Sequence, residues 1–511
     1  MQRLAPLCSH ICATRNLAGC SPLKLPQNPH LSFRNAKISV HDAVRSAASK
    51  KTKKPSTGAD AQQPKPRARS IPSEAAPGDS EKDYIVFKLI RQRRIKNECH
   101  LTIAADAPAR RRYACLATVT SAWLLESFRQ APTPQAIADA RAIRDALRNA
   151  GYTSRALSSR ILGGTFAAPT QVLRRTKTVE APPRDDEIDA LIALFALGLS
   201  VDRRELPTTY DAVAPLLAED MTARCMVAPV GALRDAGEDL YLLTDWPPEK
   251  RLTEEEPCMY LGPDSLALAD VASFLSKGKR VADVCAGSGV QGLVATRAGA
   301  SSITWVEAEA RAAAFCRLNG ALNGVEGDVV VDRVNNVDKG TYDLILANPP
   351  YVATPSSLSY DAFAAGGPGG YDVLKDVVTY ASKHLADDGL LACVFELNGP
   401  PEKLFAKVAL AWASGGAMNA RCCVVHDVLT ERTSPKAVAE RRGGAQSEAW
   451  LANYREQNIN CVANAVLLLG RTSGGGFDWA EGACGRAWAP PPSNVEARQA
   501  VDQALAWVRD L

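Results

Sequence analysis

Asn348-Pro349-Pro350-Tyr351 follows the apolar run Leu344-Ile345-Leu346-Ala347, well downstream of the turn Asp283-Val284-Cys285-Ala286-Gly287-Ser288-Gly289. Residues of these types suit methyl transfer to a planar nitrogen. An amide or base amino group delocalises its lone pair. An enzyme must therefore pin it in plane with hydrogen-bond acceptors and bring the electrophile to its face. The Asn348 side-chain carbonyl and the Pro349 backbone carbonyl can accept both N–H hydrogens, while Tyr351 can stack on the planar group. Pro349 and Pro350 stiffen the loop, which leaves little ordering entropy to lose on binding. The same four residues also describe an ordinary strand followed by a Pro-Pro turn. Their place after a second strand of one sheet is what favours chemistry.

The elements that would position them can be read around the glycine turn. Residues 280–285 read as a buried strand, and Gly287-Ser288-Gly289 opens the next helix. Missing side chains let a ligand approach the backbone there, and a helix N-terminus can receive a carboxylate. Residues 301–306 read as a second strand ending in Glu307, an acid 24 positions after Asp283. A parallel sheet can present such a carboxylate to ribose hydroxyls. Residues 329–334 and 342–347 read as the third and fourth strands, and a helix follows Gly262-Pro263-Asp264-Ser265 to about Leu275. Gly287, Gly289 and Gly292 nearly satisfy G-x-G-x-x-G, so a nicotinamide-binding unit also fits the turn. A dehydrogenase, however, has no reason to carry the loop at 348–351.

The chain of 511 residues, 46% hydrophobic, has room for two or three domains with real cores. Its net charge of +4 is unevenly spread: residues 1–80 hold 13 Lys/Arg and 4 Asp/Glu, leaving 47 basic and 52 acidic residues beyond. The remainder is mildly acidic and carries no global basic field for nucleic acid. No acid precedes Asp42, while Arg3, Arg15, Lys24, Arg34 and Lys37 are scattered among Ser, Ala, Leu and Pro. Residues 1–48 therefore read as an organelle transit peptide, chloroplast favoured over mitochondrion, with a basic tail of a cytoplasmic protein as the alternative. Residues 49–80, with Lys50-Lys51-Thr52-Lys53-Lys54, read as a disordered basic linker. The fourteen cysteines include no pair of C-x-x-C elements, which argues against a zinc site or disulfide scaffold. Cys422 and Cys423 should alternate faces of one strand. No run of eighteen apolar residues suggests a membrane span.

Residues 81–255 read as mostly helical. Arg91, Arg93, Arg94 and Lys96, then Arg110, Arg111 and Arg112, form a basic patch. It is either a solvated helix face or a contact surface for RNA or an acidic partner. Residues 135–150 read as an amphipathic helix with Ile137, Ile143 and Leu147 on one side, stopped by Gly151. Residues 188–195 form a strongly apolar helix, followed by shorter helical candidates at 202–206 and 210–223 and strand-like runs at 225–230 and 240–244. Three helices and a hairpin are the order of a winged-helix module, which can bind nucleic acid or dock proteins.

Together these residues resemble class I S-adenosylmethionine-dependent methyltransferases of the small-domain type, and more narrowly the release-factor glutamine methyltransferases and two-domain bacterial relatives. The resemblance covers roughly 255–470. It rests on Gly262 to Ser265, the 283–289 turn, Glu307, Asp332, Asn348 to Pro355, and Ala365-Gly366-Gly367-Pro368-Gly369-Gly370. It implies an α/β fold with a seven-stranded Rossmann-like sheet, domain 256–470; the mainly helical recognition domain of winged-helix order read at 81–255 departs from the short helical domain of release-factor enzymes and looks instead like that of two-domain bacterial relatives. Residues 471–511 would be a loop and a C-terminal helix. It also implies S-adenosyl-L-methionine as cofactor and no metal. By position, cofactor contacts would come from Asp264, Asp283, Ala286, Gly287, Ser288, Gly289, Glu307, Asp332, Asn335 and Asn348. Glu307 would hold the ribose, and Asp332 or Asn335 the adenine. Asn348, Pro349, Pro350 and Tyr351 would hold the acceptor. The implied acceptor is a glutamine amide of a protein such as a release factor; a base amino group of RNA or DNA is the alternative, and a non-catalytic adaptor a third. The family's in-line displacement needs no strong base.

Overall fold

Continuously apolar runs such as residues 344–347 and 390–395 leave no face for water, and both become central strands of one sheet. The computed structural model describes residues 123–161, 184–231, 238–248, 252–489 and 494–509, together with the backbone of 34–38. The strands are β1 Arg34–Ile38, β2 Met226–Val230, β3 Leu240–Thr244, β4 Arg280–Val284, β5 Ser302–Glu307, β6 Asp328–Val331, β7 Tyr342–Ala347, β8 Leu385–Asn398, β9 Ala420–Asp427, β10 Val462–Arg471 and β11 Phe477–Cys484. The main helices are α1 Pro134–Asn149, α2 Ser154–Ile161, α3 Glu187–Phe195, α4 Pro263–Leu275, α5 Val290–Arg297, α6 Ala310–Asn323, α7 Asp372–His384, α8 Pro401–Ser414, α9 Pro435–Gly443, α10 Ser447–Glu456 and α11 Val495–Arg509.

The sheet runs β6-β5-β4-β7-β8-β10-β9-β11-β1. The first five strands are parallel to their neighbours, and β10 is antiparallel to both β8 and β9. Strand order reverses between β4 and β7, the switch point at which open α/β sheets place ligands outside the strands' carboxyl ends. Residues 280–471 supply the seven expected strands, and two more extend the edge. Residues 471–492, expected to be loop, contain β11, parallel to β9. Buried Phe477, Trp479 and Ala480 hold it there. Strand β1 then pairs antiparallel with β11. It lies inside the segment, 1–48, that composition assigns to a transit peptide. The linker at 49–80 and the basic residues at 91–112 lie outside the described residues.

Of the three helices expected ahead of the hairpin, 188–195 forms as α3, with α1 and α2 before it in the chain. The candidates at 202–206 and 210–223 shrink to the single turns Arg203–Glu205, Tyr210–Val213 and Ala214–Leu216, where Pro215 lacks the N–H a longer helix would need. The β2–β3 hairpin is shared by two cores. Tyr241 and Leu243 pack with the N-terminal helices, and Leu240 and Leu242 with α4. Phe315, Leu318 and Leu322 of α6 belong to the N-terminal core. As their alternation requires, Cys422 and Cys423 enter opposite faces of the sheet. The described cysteines are free, and all but Cys285 are buried. Among the described residues no helix is long and apolar enough to cross a membrane.

Helix α6 completes the hairpin's edge with side chains. Asn323 Oδ1 accepts the Tyr241 N–H at 2.9 Å and Asn319 Oδ1 the Leu243 N–H at 2.8 Å. Their Nδ2 atoms donate to the Tyr241 and Leu243 carbonyls at 2.8 and 2.9 Å. Two asparagines one helical turn apart thus stand in for a third strand. Asn319 Nδ2 also donates to the Ser288 carbonyl at 2.9 Å, which joins the hairpin to the glycine turn. Asn319→Ala leaves these buried groups unpaired and should lower unfolding free energy by about 3 kcal/mol. Urea denaturation checks this; an unchanged midpoint would contradict the bracing role.

Candidate functional site

The register that pairs Val284 with Ala347 brings the turn after β4 beside the loop after β7. The turn is tight: Cys285, Gly287 and Gly289 adopt φ of 57°, 55° and 80°, a left-handed region uncommon for a residue such as Cys285. A Cβ on Gly289 would lie 2.7 Å from the Cys316 Sγ, and one on Gly292 2.2 Å from the Trp305 Nε1. These two glycines therefore serve packing beneath the turn. Glu307 braces the turn from the end of β5: Oε2 accepts the Gly287 N–H at 2.7 Å and Oε1 the Glu309 N–H at 2.8 Å. Asp283 Oδ2 accepts the Gly292 N–H at 2.9 Å, while its Oδ1 has no partner. Burial pushes the Glu307 carboxyl up and that of Asp283 well above the ordinary carboxylate range.

The loop after β7 is set by Asp264. Pro263 begins α4 and puts Asp264 in its first turn, where a carboxylate suits the helix dipole. The Asp264 Oδ2 accepts the Asn348 Nδ2 at 2.9 Å and the Tyr351 hydroxyl at 3.1 Å. The Asn348 amide is thereby fixed with its nitrogen towards Asp264, and its Oδ1 is buried without a partner. Burial raises the Asp264 carboxyl above its usual range, opposed by the Asn348 and Tyr351 donors. Burial also raises the Tyr351 hydroxyl, so it remains a donor.

The glycine-rich segment straps the loop from outside. Val352 N–H donates to the Ala364 carbonyl, Gly366 N–H to Val352 and Thr354 N–H to Gly367, at 2.8, 2.9 and 3.0 Å. A Cβ at Gly366 would stand 2.8 Å from the Tyr351 carbonyl carbon, and one at Gly370 2.6 Å from its oxygen.

Between turn and loop lies a cavity of about 500 Å³, within the usual range for small-molecule sites. Of the residues singled out from the sequence, Ala286, Gly287, Ser288, Glu307, Asp332, Asn335, Asn348 and Pro350 line it. Asp264, Asp283, Gly289, Pro349 and Tyr351 do not lie on its wall. The exposed Asp332 carboxylate accepts the Arg333 N–H at 2.7 Å and the Asn336 Nδ2 at 2.8 Å. Sequence reasoning missed Pro257, Met259, Gln291, Tyr360 and Phe363, which also line the cavity. The first two reach it because Asp245 accepts the intervening Cys258 N–H at 2.8 Å and is itself held by Arg311 at 2.6 Å. No local pattern announces such a contact. Among the described residues no group of His, Cys, Asp and Glu is arranged to hold a metal.

Residues 267–411 match the methyltransferase small domain. A release factor glutamine methyltransferase of Gloeobacter violaceus is 30% identical over 146 residues, 25% of this chain and 51% of that protein. A ribosomal protein uL3 glutamine methyltransferase of Xanthomonas campestris is 39% identical over 80 residues, 14% of this chain and 26% of its own. The chain thus spans about half the length, or less, of the curated relatives it matches. Among solved structures, the ribosomal protein L11 methylase of Lactobacillus delbrueckii shows 18% identity and a TM-score of 0.25 over 41% of this chain and 81% of its own.

The match to the methyltransferase small domain begins within α4, just after the Asp264 that orients the loop. Asp264→Ala should cut turnover about 100-fold and leave cofactor affinity within about twofold, since the native carboxylate grips Asn348. Calorimetry and initial rates test this together; a large loss of cofactor affinity with turnover preserved would restore the sequence expectation of a cofactor contact. Asp283 generates a pH dependence. Its folded pKa is raised, so its contribution to stability is fully present below the unfolded value of about 4 and is lost as pH rises through the folded pKa. The thermal midpoint of Asp283→Asn relative to wild type should climb as pH rises above about 4 and level off once the pH passes the folded pKa; a difference independent of pH would contradict it.

Proposed function

We propose that the chain is an S-adenosylmethionine-dependent N-methyltransferase acting on the side-chain amide of a protein glutamine, as in a translation release factor. The observation that carries this reading is Asn348 Oδ1, buried without a partner on a residue that lines the cavity, its amide nitrogen held by Asp264. A buried acceptor without a partner calls for a donor, and a primary amide brings two. The glutamine methyltransferases among the relatives support the acceptor class. The cavity suits the cofactor: the 286–288 backbone opens α5, and the Glu307 and Asp332 carboxylates line the wall. Ala286, Gly287 and Ser288 would hold its amino-acid end, Glu307 its ribose, and Asp332 or Asn335 its base. When bound, it supplies an electrophilic methyl group on a cationic sulfur.

The chain's own residues then position the acceptor. Asn348 Oδ1 accepts one amide N–H, holding the nitrogen with one face open to the cavity. Pro350 walls that face, and Tyr351, tied to Asp264, keeps the loop from turning. The methylated nitrogen is strongly acidic and gives its surplus proton to solvent by way of the Asn348 carbonyl oxygen it is bonded to, so no strong base is required. Residues Asp189 to Phe195 of α3 are buried and offer no face to a nucleic-acid groove, which favours a protein acceptor. We place the reaction in an organelle, chloroplast before mitochondrion, on the acid-free stretch before Asp42.

The test uses the full chain with tritiated S-adenosylmethionine and fractionated organelle extract, beside an Asn348→Ala control. Label should enter protein and fall about 100-fold or more in the control. Control-sensitive label in RNA or DNA, or none at all, would contradict the amide reading.

A further inference from the structure

Buried oxygen acceptors without partners occur on both sides of Tyr351. Asn348 Oδ1 is one. Two others, Glu396 Oε2 and Asn398 Oδ1, come from residues only 5% exposed at the carboxyl end of β8. Two positions apart on a strand, they share one face of the sheet. That face meets the acceptor loop: Asn398 Nδ2 donates to the Tyr351 carbonyl at 3.4 Å. The approach needs Gly370, where a Cβ would stand 2.2 Å from that Nδ2.

The other Glu396 oxygen is taken by Arg442 of α9, which also reaches the Tyr454 hydroxyl at 3.4 Å and lies 6.0 Å from the Trp450 ring. Trp450 meets Tyr360 edge-on at 5.5 Å, and Tyr360 stands on the cavity wall. Neither Glu396 nor Asn398 lines the cavity; Arg442, Trp450 and Tyr360 connect the pair to its wall. A buried carboxylate oxygen left unpaired is costly unless a donor arrives. Because Arg442 already balances the charge, a neutral N–H suits the site better than a cation. The spacing narrows the donor further. Residues two apart on a strand are separated by roughly 6.6 Å, the same interval as N–H groups along one edge of an extended peptide.

We propose that Glu396 Oε2 and Asn398 Oδ1 form a second acceptor-side subsite, which takes main-chain N–H groups of the polypeptide flanking the methylated amide. The inference rests on the amide reading. It gives α9 and α10, inserted between β9 and β10, a role in selecting the substrate: they carry Arg442, Trp450 and Tyr454. An extended segment would be held by its backbone while Asn348 takes the side chain.

The test uses the full chain and a glutamine peptide it methylates, with each main-chain amide near the glutamine replaced in turn by its N-methyl form. At one or two positions this should raise the peptide KM of wild type about tenfold, the cost of one charge-assisted hydrogen bond. The same replacements should add little in Glu396→Gln, whose own peptide KM is raised while its cofactor KM is unchanged. If Glu396→Gln fails to fold, the wild-type series decides alone: indifference to every N-methyl replacement overturns the subsite while leaving the amide reading intact. Methylation of nucleic acid and of no glutamine peptide would overturn both.

Discussion

One buried carboxylate sets the geometry on which the acceptor side depends. Asp264 accepts from both Asn348 and Tyr351, and leaving either buried donor unpaired would cost about 1–3 kcal/mol. An asparagine amide has two nearly isosteric ends with opposite hydrogen-bonding character, so its orientation is chemical information. The carboxylate can accept from the nitrogen end and not from the oxygen end. Asn348 is thus left with an oxygen that has no partner, which in the proposed reaction selects a donor. The neighbouring features serve that placement: Pro263 starts the helix that carries Asp264, the prolines limit the loop, and Gly366 and Gly370 let the strap close over the Tyr351 backbone.

The cofactor side depends on the N-terminal unit more than a recognition module would require. Asn319 holds the Leu243 edge of the hairpin and the Ser288 carbonyl of the glycine turn together. Asp245, just beyond the hairpin, fixes Cys258 between two cavity-lining residues and pairs with Arg311 of α6. With Phe315, Leu318 and Leu322 buried in the N-terminal core, the two units share a core and a cavity wall. Movement of the hairpin would therefore be felt at the cofactor turn.

The parts of this arrangement visible in the sequence were those with local chemistry. Asn348 to Tyr351 and Gly287 stand out because proline and glycine constrain the backbone whatever surrounds them. Glu307 was legible as an acid at the end of a buried strand. Asp264 was noticed, but its partner lies 84 residues away, and no pattern around either residue states that pairing. Glu396 was hidden in an otherwise apolar strand, and Asn398 resembled an ordinary strand end. Strand β11 was obscured by the Gly- and Pro-rich composition on both sides of it. In 210–223, helical periodicity was overruled by Pro215 and by the packing of short turns.

The central claim is that Asn348 Oδ1 receives the acceptor's N–H. A structure of the full chain with S-adenosylhomocysteine and a glutamine peptide tests it directly. The account predicts the amide nitrogen at about 2.7–3.2 Å from Asn348 Oδ1, with Nδ2 still on Asp264. A glutamine amide bound away from Asn348, or an Asn348 side chain turned to present its nitrogen, would contradict it.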